Sequence, residues 1–277
     1  MQVKITRTTP IYRDPYSTGV FLQWNVLDPP DVGPFSFKIE RSGSPEGPFE
    51  LVLDNVTTFH FFDDLRHVPA PPEGSVRENL NFLSLHRAIY YKVTGTIGGE
   101  TSFDIQVTGD NLPTRQALLR RKIQRDIRVG FKFSGIPLVI LKRRHWGERC
   151  KDCFDQLTKR VTKSKCTTCF GTGFENGYFD PVRISGRIGV ENIQTQITPQ
   201  GKTDINQRAL TTLDFPVFEE DDIIAELRQN RRYVITNISQ TELRTVSVHQ
   251  RSVLSELSRD SIEYRIVINP DHIPVIY

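Results

Sequence analysis

The sequence predicts a mainly β protein with an N-terminal β-sandwich, one basic amphipathic helix, a cysteine knuckle insert and a small C-terminal β-barrel. Short apolar runs with period-two alternation lie between turn residues at both ends of the chain. One stretch between them has apolar residues at spacing four. All four cysteines of the 277-residue chain fall within twenty positions. We place the four parts at residues 1–109, 110–135, 136–181 and 182–277.

The first part has the alternation and turn spacing of a β-sandwich. Residues 20–24 and 35–40 alternate, and residues 89–95 are rich in β-branched and aromatic side chains. Clusters of Pro, Gly and Asp separate these runs. Short strands with frequent turns are typical of a sandwich. We expect the proline-rich segment 68–74 to be an exposed loop.

The second part is predicted to be one amphipathic helix at about 114–129. Residues 111–114 supply a capping side chain and an early proline, which favour a helix start. An apolar stripe at spacing four follows, formed by Leu119, Ile123 and Ile127. Gly130 predicts the end of the helix.

The fourth part again predicts strands, which favour a small barrel or sandwich. The candidate strands are residues 182–188, 193–197, 223–227, 233–238, 245–250 and 262–268. The acidic cluster at 219–222 precedes one of them, where a surface turn is expected.

The cysteines form two pairs of metal-ligand spacing, Cys150-x2-Cys153 and, twelve residues later, Cys166-x2-Cys169. Two such knuckles supply the four thiolates of a closed tetrahedral zinc site, so we predict structural zinc. Four sulfurs leave no open position for a catalytic water. A redox motif would need a thioredoxin-like βαβ pattern, which is missing. Reduced pairs, or disulfides formed after release of an assembled particle, are the alternatives.

The second cysteine pair resembles one repeat of the DnaJ-type zinc domain. The matching residues read Cys166-Thr167-Thr168-Cys169-Phe170-Gly171-Thr172-Gly173. That family has four such repeats, whereas the first pair here lacks the glycines. The resemblance implies a zinc knuckle and no chaperone function.

Residues 115–165, the basic belt, carry an uneven share of the charge. Sixteen Lys or Arg against four Asp or Glu give the belt a net charge of +12, leaving −9 for the rest of a chain whose total is +3. Such asymmetry indicates an anionic partner, either an acidic protein surface or nucleic acid. The alternative is a solvated face or salt bridges to neighbouring subunits. The candidate contact residues are Arg120, Arg121, Arg128, Arg143 and Arg144.

Composition and motifs argue against several functional classes. The longest apolar run, residues 136–141, is far shorter than the roughly 20 residues of a membrane-spanning helix. Residues 1–10 have no apolar stretch, so we expect no secretory signal and synthesis in a cytosol. The six histidines are scattered, and no phosphate-binding glycine loop is present, so we expect no enzyme activity. His145-Trp146 is a possible active-site pair, but we interpret Trp146 as packing.

The first part resembles a fibronectin type III domain. Trp24 lies where that family has its core tryptophan. The other resembling segments are Phe37-Lys38-Ile39-Glu40-Arg41-Ser42, Gly47-Pro48-Phe49 and Tyr90-Tyr91-Lys92-Val93-Thr94.

Residues 110–277 resemble a virion protein of tailed bacteriophages. The resembling segments are Leu141-Lys142-Arg143-Arg144-His145-Trp146-Gly147, the cysteine pairs, Gly177-Tyr178-Phe179-Asp180-Pro181, Phe218-Glu219-Glu220-Asp221-Asp222-Ile223-Ile224 and Arg232-Tyr233-Val234-Ile235. They are similar to the small barrel of head-completion and stopper proteins, although Asp221-Asp222 replaces the usual Gly-Asp.

The phage resemblance implies a structural subunit of the virion, assembled in the host cytoplasm. It implies a homo-oligomeric ring at the neck, the head-to-tail connector. The implied partners are portal, neck or tail proteins, and packaged DNA is a further contact; no membrane is involved. A baseplate or tail subunit is the alternative, and a nucleic-acid-binding zinc protein is a third.

Overall fold

The structure is a computed structural model. The residues it describes are 1–14, 17–31, 35–65, 89–97, 99–108, 114–198, 201–243 and 246–273. The predicted loop at 68–74 and the predicted helix start at 111–113 lie outside them. The chain divides into two compact units, described separately below. Unit 1 is Met1–Arg121 with Trp146–Glu148, and unit 2 is Lys122–His145 with Arg149–Tyr277.

Unit 1 contains two antiparallel sheets, of order β1-β2-β5 and β4-β3-β6-β7. Their strands are β1 (Gln2–Asp14), β2 (Ser17–Leu27), β3 (Phe35–Ser42), β4 (Glu50–Val56), β5 (His60–Asp63), β6 (Tyr90–Ile97) and β7 (Glu100–Val107). Alternate residues of β3 and β6 are buried, as expected for strands with one face towards a core. The predicted β-sandwich is confirmed.

The core of unit 1 is built around aromatic side chains. The rings of Trp24 and Phe37 have centroids 5.4 Å apart. Trp146, only 2% exposed, packs against Phe35 at 5.4 Å and Phe37 at 5.0 Å. A core aromatic of unit 1 therefore comes from a distant position in the sequence, and the interpretation of Trp146 as a packing residue is confirmed.

The helix α1 spans Thr114–Ser134, five residues beyond the predicted end. Gly130 does not end it, because a glycine inside a helix costs only about 1 kcal/mol relative to alanine. The helix ends instead at Gly135, whose N–H donates to Phe131 O at 2.9 Å. A Cβ at Gly135 would lie 2.5 Å from that oxygen, so this position requires glycine.

Unit 2 contains a closed six-stranded barrel of order β11-β12-β15-β14-β13-β8. The strands are β8 (Ile136–Leu141), β11 (Val182–Thr198), β12 (Gly201–Leu213), β13 (Ile223–Glu226), β14 (Arg231–Leu243) and β15 (Val246–Glu256). The small barrel is confirmed, but its range differs from the predicted 182–277. The apolar strand β8 precedes the cysteines and pairs with both β11 and β13.

Two hairpins extend beyond the shared sheet of the barrel. β11 pairs with β8 only up to Gly186, and β12 pairs with β15 only from Gln207 onwards. Residues 193–198 and 201–206 pair with each other and, among the described residues, with no third strand. We call this pair the first ribbon. Residues 242–243 and 246–247, the second ribbon, similarly lie beyond the end of β12.

The predicted strand at 262–268 is wrong. Ile262–Arg265 forms a 3₁₀ helix, and a second follows at Pro270–His272. The six barrel strands close on one another without this segment, so it is not needed to complete the barrel. Arg232 holds the segment through its guanidinium, which donates to Glu263 O and to Ile266 O.

Candidate metal centre and charged surfaces

The four cysteines converge on one point. Their sulfurs all lie within 4.8 Å of one another, and all four side chains are buried. Cys150 Sγ is 3.8 Å from Cys166 Sγ, and Cys153 Sγ is 3.1 Å from Cys169 Sγ. These distances exceed the roughly 2.05 Å of a disulfide bond, and the thiols are free. The cluster has the number and type of donors that could bind a metal ion.

The two knuckles share one local geometry, which aims both sulfurs of a pair at the same point. Phe154 N donates to Cys150 O at 3.0 Å, and Phe170 N donates to Cys166 O at 2.9 Å. Each CxxC pair is thus folded by a hydrogen bond from the residue that follows it. This repetition was not visible in the sequence, because only the second pair carries the glycines.

A threonine fixes the second cysteine of each pair. Thr162 donates its N–H at 2.7 Å and its hydroxyl at 2.9 Å to Cys153 O. Thr172 does the same to Cys169 O, at 3.0 Å and 2.8 Å. The sequence separations are nine and three residues, so spacing alone could not have identified the two threonines as equivalent.

Two glycines permit the close packing behind the second knuckle. Gly171 has a φ of +80°, and a Cβ there would lie 2.7 Å from Ser164 O. Gly177 has a φ of +62°, and a Cβ there would clash with Cys169 O. Gly171 lies within the segment that resembles a DnaJ-type repeat, whereas Gly177 was not predicted to support the cluster.

Arg149 braces the cysteine lobe, which we define as residues 149–179. Its guanidinium carbon lies 4.4 Å from the ring centroid of Phe154 and 4.2 Å from that of Phe174. This cation–π sandwich joins the first knuckle to the segment after the second. Cys150 N also donates to Gly173 O at 2.9 Å across the same gap. The sequence did not predict this packing role of Arg149.

The cysteines differ in acidity when no metal is bound. Burial raises the pKa of the Cys150 thiol and, more strongly, that of Cys153. Burial opposes ionisation of Cys166 as well, but the backbone N–H groups of Cys169 and Thr168 outweigh it and lower its pKa to about 6. Of these three thiols, Cys166 is therefore the one that is ionised, and so able to bind a metal, near neutral pH.

The chain leaves the barrel for the cysteine lobe and returns to it through two segments that pair with each other, which we call the base of the lobe. Phe179 N donates to Lys142 O at 2.9 Å, and Arg144 N donates to Gly177 O at 3.0 Å. Arg144 also donates its Nε to Tyr178 O at 3.0 Å. Arg144 Cζ lies 4.7 Å from the Phe179 ring centroid. Arg144 thus has contacts within the chain, and its predicted partner contact stays a prediction.

An ion network with a buried centre lies beside this base. Lys142 Nζ is 2.9 Å from Asp222 Oδ2 and 3.1 Å from Glu219 Oε2. His145 Nε2 lies 3.3 Å from the same Glu219 oxygen, and the Arg143 guanidinium pairs with Asp221. The acidic cluster expected to be a surface turn therefore contains a fully buried carboxylate, Asp222. The apolar pattern around the cluster gave no signal of this burial.

One predicted contact residue of the basic belt, Arg120, is wrong. Arg120 is only 3% exposed and donates to Thr9 Oγ1 at 3.3 Å inside unit 1, so it does not face a partner. Helical geometry turns it towards the buried side, close to the apolar stripe. Arg121 and Arg128 are half-buried, and their partner contacts stay predictions. The exposed cations of α1 within unit 2 are Lys122, Arg125 and Lys132.

The cysteine lobe adds further exposed cations, namely Lys151, Lys159, Arg160, Lys163 and Lys165. Leu157, 95% exposed, lies among them between the two-residue strands β9 (Phe154–Asp155) and β10 (Arg160–Val161). Much of the belt's charge in unit 2 is therefore directed to solvent.

No protein-family model matches the sequence, and no curated protein matches it. Within the described ranges, no helix is both long enough and apolar enough to cross a membrane.

Proposed function

We propose that the chain is a structural subunit of a tailed-phage virion and forms a ring at the neck. The observation that carries this proposal is the first ribbon, a two-stranded extension of a closed barrel. Six residues per strand at about 3.4 Å each give the ribbon a reach of about 20 Å. A two-stranded hairpin is marginally stable in water on its own, and its edges carry unpaired backbone groups. A neighbouring subunit that covers the ribbon would remove both costs.

The direction of the second ribbon supports a position between two neighbours. β12 and β15 are antiparallel, with Gln207 opposite Ser255 and Leu213 opposite His249. The first ribbon extends past Gln207, and the second extends past Leu213. The two therefore project in opposite directions along the sheet. A subunit that joins the structure above it to the structure below it needs contacts of this kind.

Zinc is the metal that the cysteine cluster fits best. Zn–S bonds of about 2.3 Å in a tetrahedron separate neighbouring sulfurs by about 3.8 Å. The Cys150–Cys166 separation is 3.8 Å, and the whole cluster lies within 4.8 Å. Four thiolates fill the shell, so the metal's role is to stabilise the fold of the cysteine lobe. A shell filled in this way leaves no position for a reacting water at the metal.

The proposal predicts that the protein is a component of the mature particle. Quantitative mass spectrometry of purified virions should find it in several copies per particle, in fixed proportion to the portal protein. A regulator made only during infection would be absent from washed particles, and that result would refute the proposal.

Nucleic-acid contact is a second candidate function, favoured by the exposed cations of α1 and of the cysteine lobe. Phosphate contacts release counterions, so the affinity would fall steeply with salt, with a log–log slope of about −0.9 per neutralised phosphate. Duplex DNA binding should be measured across a salt series for the wild type, Lys122→Glu and Arg125→Glu. Tight binding that both reversals weaken would favour this function. Weak binding with no salt dependence would exclude it.

A further inference from the structure

We propose that Phe133 of one copy inserts into the cavity between α1 and the barrel of the next copy. This inference rests on the proposed ring and identifies the surfaces through which it closes. The partner is thus a second copy of this chain, bound head to tail.

The inserted residue is the most exposed aromatic side chain described on α1. Phe133 is 87% exposed, and Val129, one helical turn earlier, is also exposed. The pair forms an apolar ridge, and Lys132, three residues after Val129, borders this ridge on the helix surface. A large exposed aromatic beside a second apolar residue is typical of a contact surface.

The receiving site is an open cavity of about 550 Å³ within unit 2. Ile127 and Phe131 of α1 line one wall, and Val248 of the barrel lines another. Thr241 and Glu242, at the start of the second ribbon, are exposed residues of the lining. Arg187 also lines the cavity, and its guanidinium donates to Ser134 Oγ of α1 at 2.6 Å. The apolar walls suit an aromatic side chain, and Glu242 offers a carboxylate to a cation beside it.

The same helix carries both the ridge and one wall of the cavity, but on different faces. Ile127 of the cavity wall and Phe133 of the ridge are six residues apart, so their side chains lie about 120° apart around the helix at 3.6 residues per turn. A copy therefore presents the ridge in one direction and the cavity in another. Contacts between two different surfaces repeat from subunit to subunit, and they form a ring when the rotation closes.

Charge complementarity favours a second copy over a small apolar molecule as the occupant. Lys132 accompanies Phe133, and Glu242 lies at the cavity, so the inserted ridge would bring an ammonium to a carboxylate. A neutral ligand would leave Glu242 without this pairing.

Oligomer formation by the full-length chain tests the proposal. Phe133→Asp should raise the concentration needed for assembly at least tenfold, because a carboxylate would enter an apolar cavity. Leu157→Asp is the matched control, since Leu157 is equally exposed but outside the ridge, and it should assemble like the wild type. Lys132→Glu should weaken assembly, and adding Glu242→Lys should restore it.

Disulfide trapping between variants that each carry one added cysteine gives an independent readout. Phe133→Cys and Thr241→Cys, mixed and oxidised with the metal retained, should form a cross-linked heterodimer that neither variant forms alone. Normal assembly of Phe133→Asp together with no heterodimer would overturn the inference and leave the ring proposal standing. A wild-type chain that stays monomeric would refute both.

Discussion

Lys142 Nζ lies 2.9 Å from Asp222 Oδ2, and the two side chains are 5% and 0% exposed. The second Asp222 oxygen accepts the N–H of Arg143 at 2.9 Å, and Glu219 N donates to Oδ2 at 2.7 Å. Asp222 therefore joins the residues that follow β8, at the base of the cysteine lobe, to the turn before β13. The pair fixes the orientation of the lobe on the barrel.

Replacing Lys142 should destabilise unit 2 strongly. Lys142→Met leaves Asp222 buried without its cation, and breaking a buried pair in this way costs about 3–5 kcal/mol. Arg231→Met is the control, because Arg231 and Glu256 form a partly exposed pair whose loss should cost about 0–1 kcal/mol. Urea unfolding measures both changes. Equal free energies of unfolding for the two variants would contradict the assigned role of Lys142.

Glu219 should contribute an acid-sensitive part of the stability. Burial raises its pKa, but His145 and Lys142 outweigh burial and lower the pKa from 4.5 to about 2. Because the folded state holds the proton less tightly, this contribution is complete above about pH 4.5 and is lost as the pH falls towards 2. Burial raises the pKa of Asp222, which has the opposite effect.

The variant Glu219→Gln separates these two acids. Between pH 5 and pH 2.5, the free energy of unfolding of the wild type should fall more steeply than that of Glu219→Gln. Parallel pH curves would show that Glu219 is not stabilised as an anion in the folded protein.

Removing one sulfur should unfold the cysteine lobe and leave the barrel intact. Cys166→Ser replaces a ligand whose thiolate forms near neutral pH, so metal affinity should fall and the lobe should lose its folding free energy. Metal analysis should find near one zinc per chain in the wild type and in the control Thr167→Ala, and far less in Cys166→Ser. Hydrogen exchange should increase within residues 149–179. A metal-free wild type with a protected lobe would contradict the zinc site.

Trp146 should stabilise unit 1 although it lies outside residues 1–109. Trp146→Ala removes a 2% exposed ring from Phe35 and Phe37, and such truncations cost about 3–5 kcal/mol. A fragment of residues 1–109 should still fold, but with a lower free energy of unfolding than unit 1 in the full chain. A fragment as stable as unit 1, or a neutral Trp146→Ala, would contradict this packing role.

The sequence predicted the features that depend on local pattern. The CxxC spacing located the cysteine cluster, because a short turn brings both sulfurs to one point. Alternation in residues 35–40 predicted β3, because successive side chains of a strand point to opposite faces of the sheet. The apolar stripe of α1 gave the helix, but not that Arg120 is buried close to the stripe, since a cation is normally expected at the surface.

Features that depend on distant pairing were not predictable from the sequence. Ile136–Leu141 looked like part of the cysteine segment until its pairing with β11 and β13 was known. Asp222 lies in an acidic run that resembles a surface turn, and only its contact with Lys142, 80 positions away, explains its burial. Residues 262–268 have a strand-like pattern, but the barrel closes without them.

Native mass spectrometry of the full-length protein, purified with its metal under reducing conditions, detects the ring and the zinc in one measurement. We expect one discrete closed oligomer, with a mass that is a multiple of 31.8 kDa per chain plus one zinc per chain. A metal-free monomer at every concentration tested would contradict both the zinc-stabilised lobe and the ring.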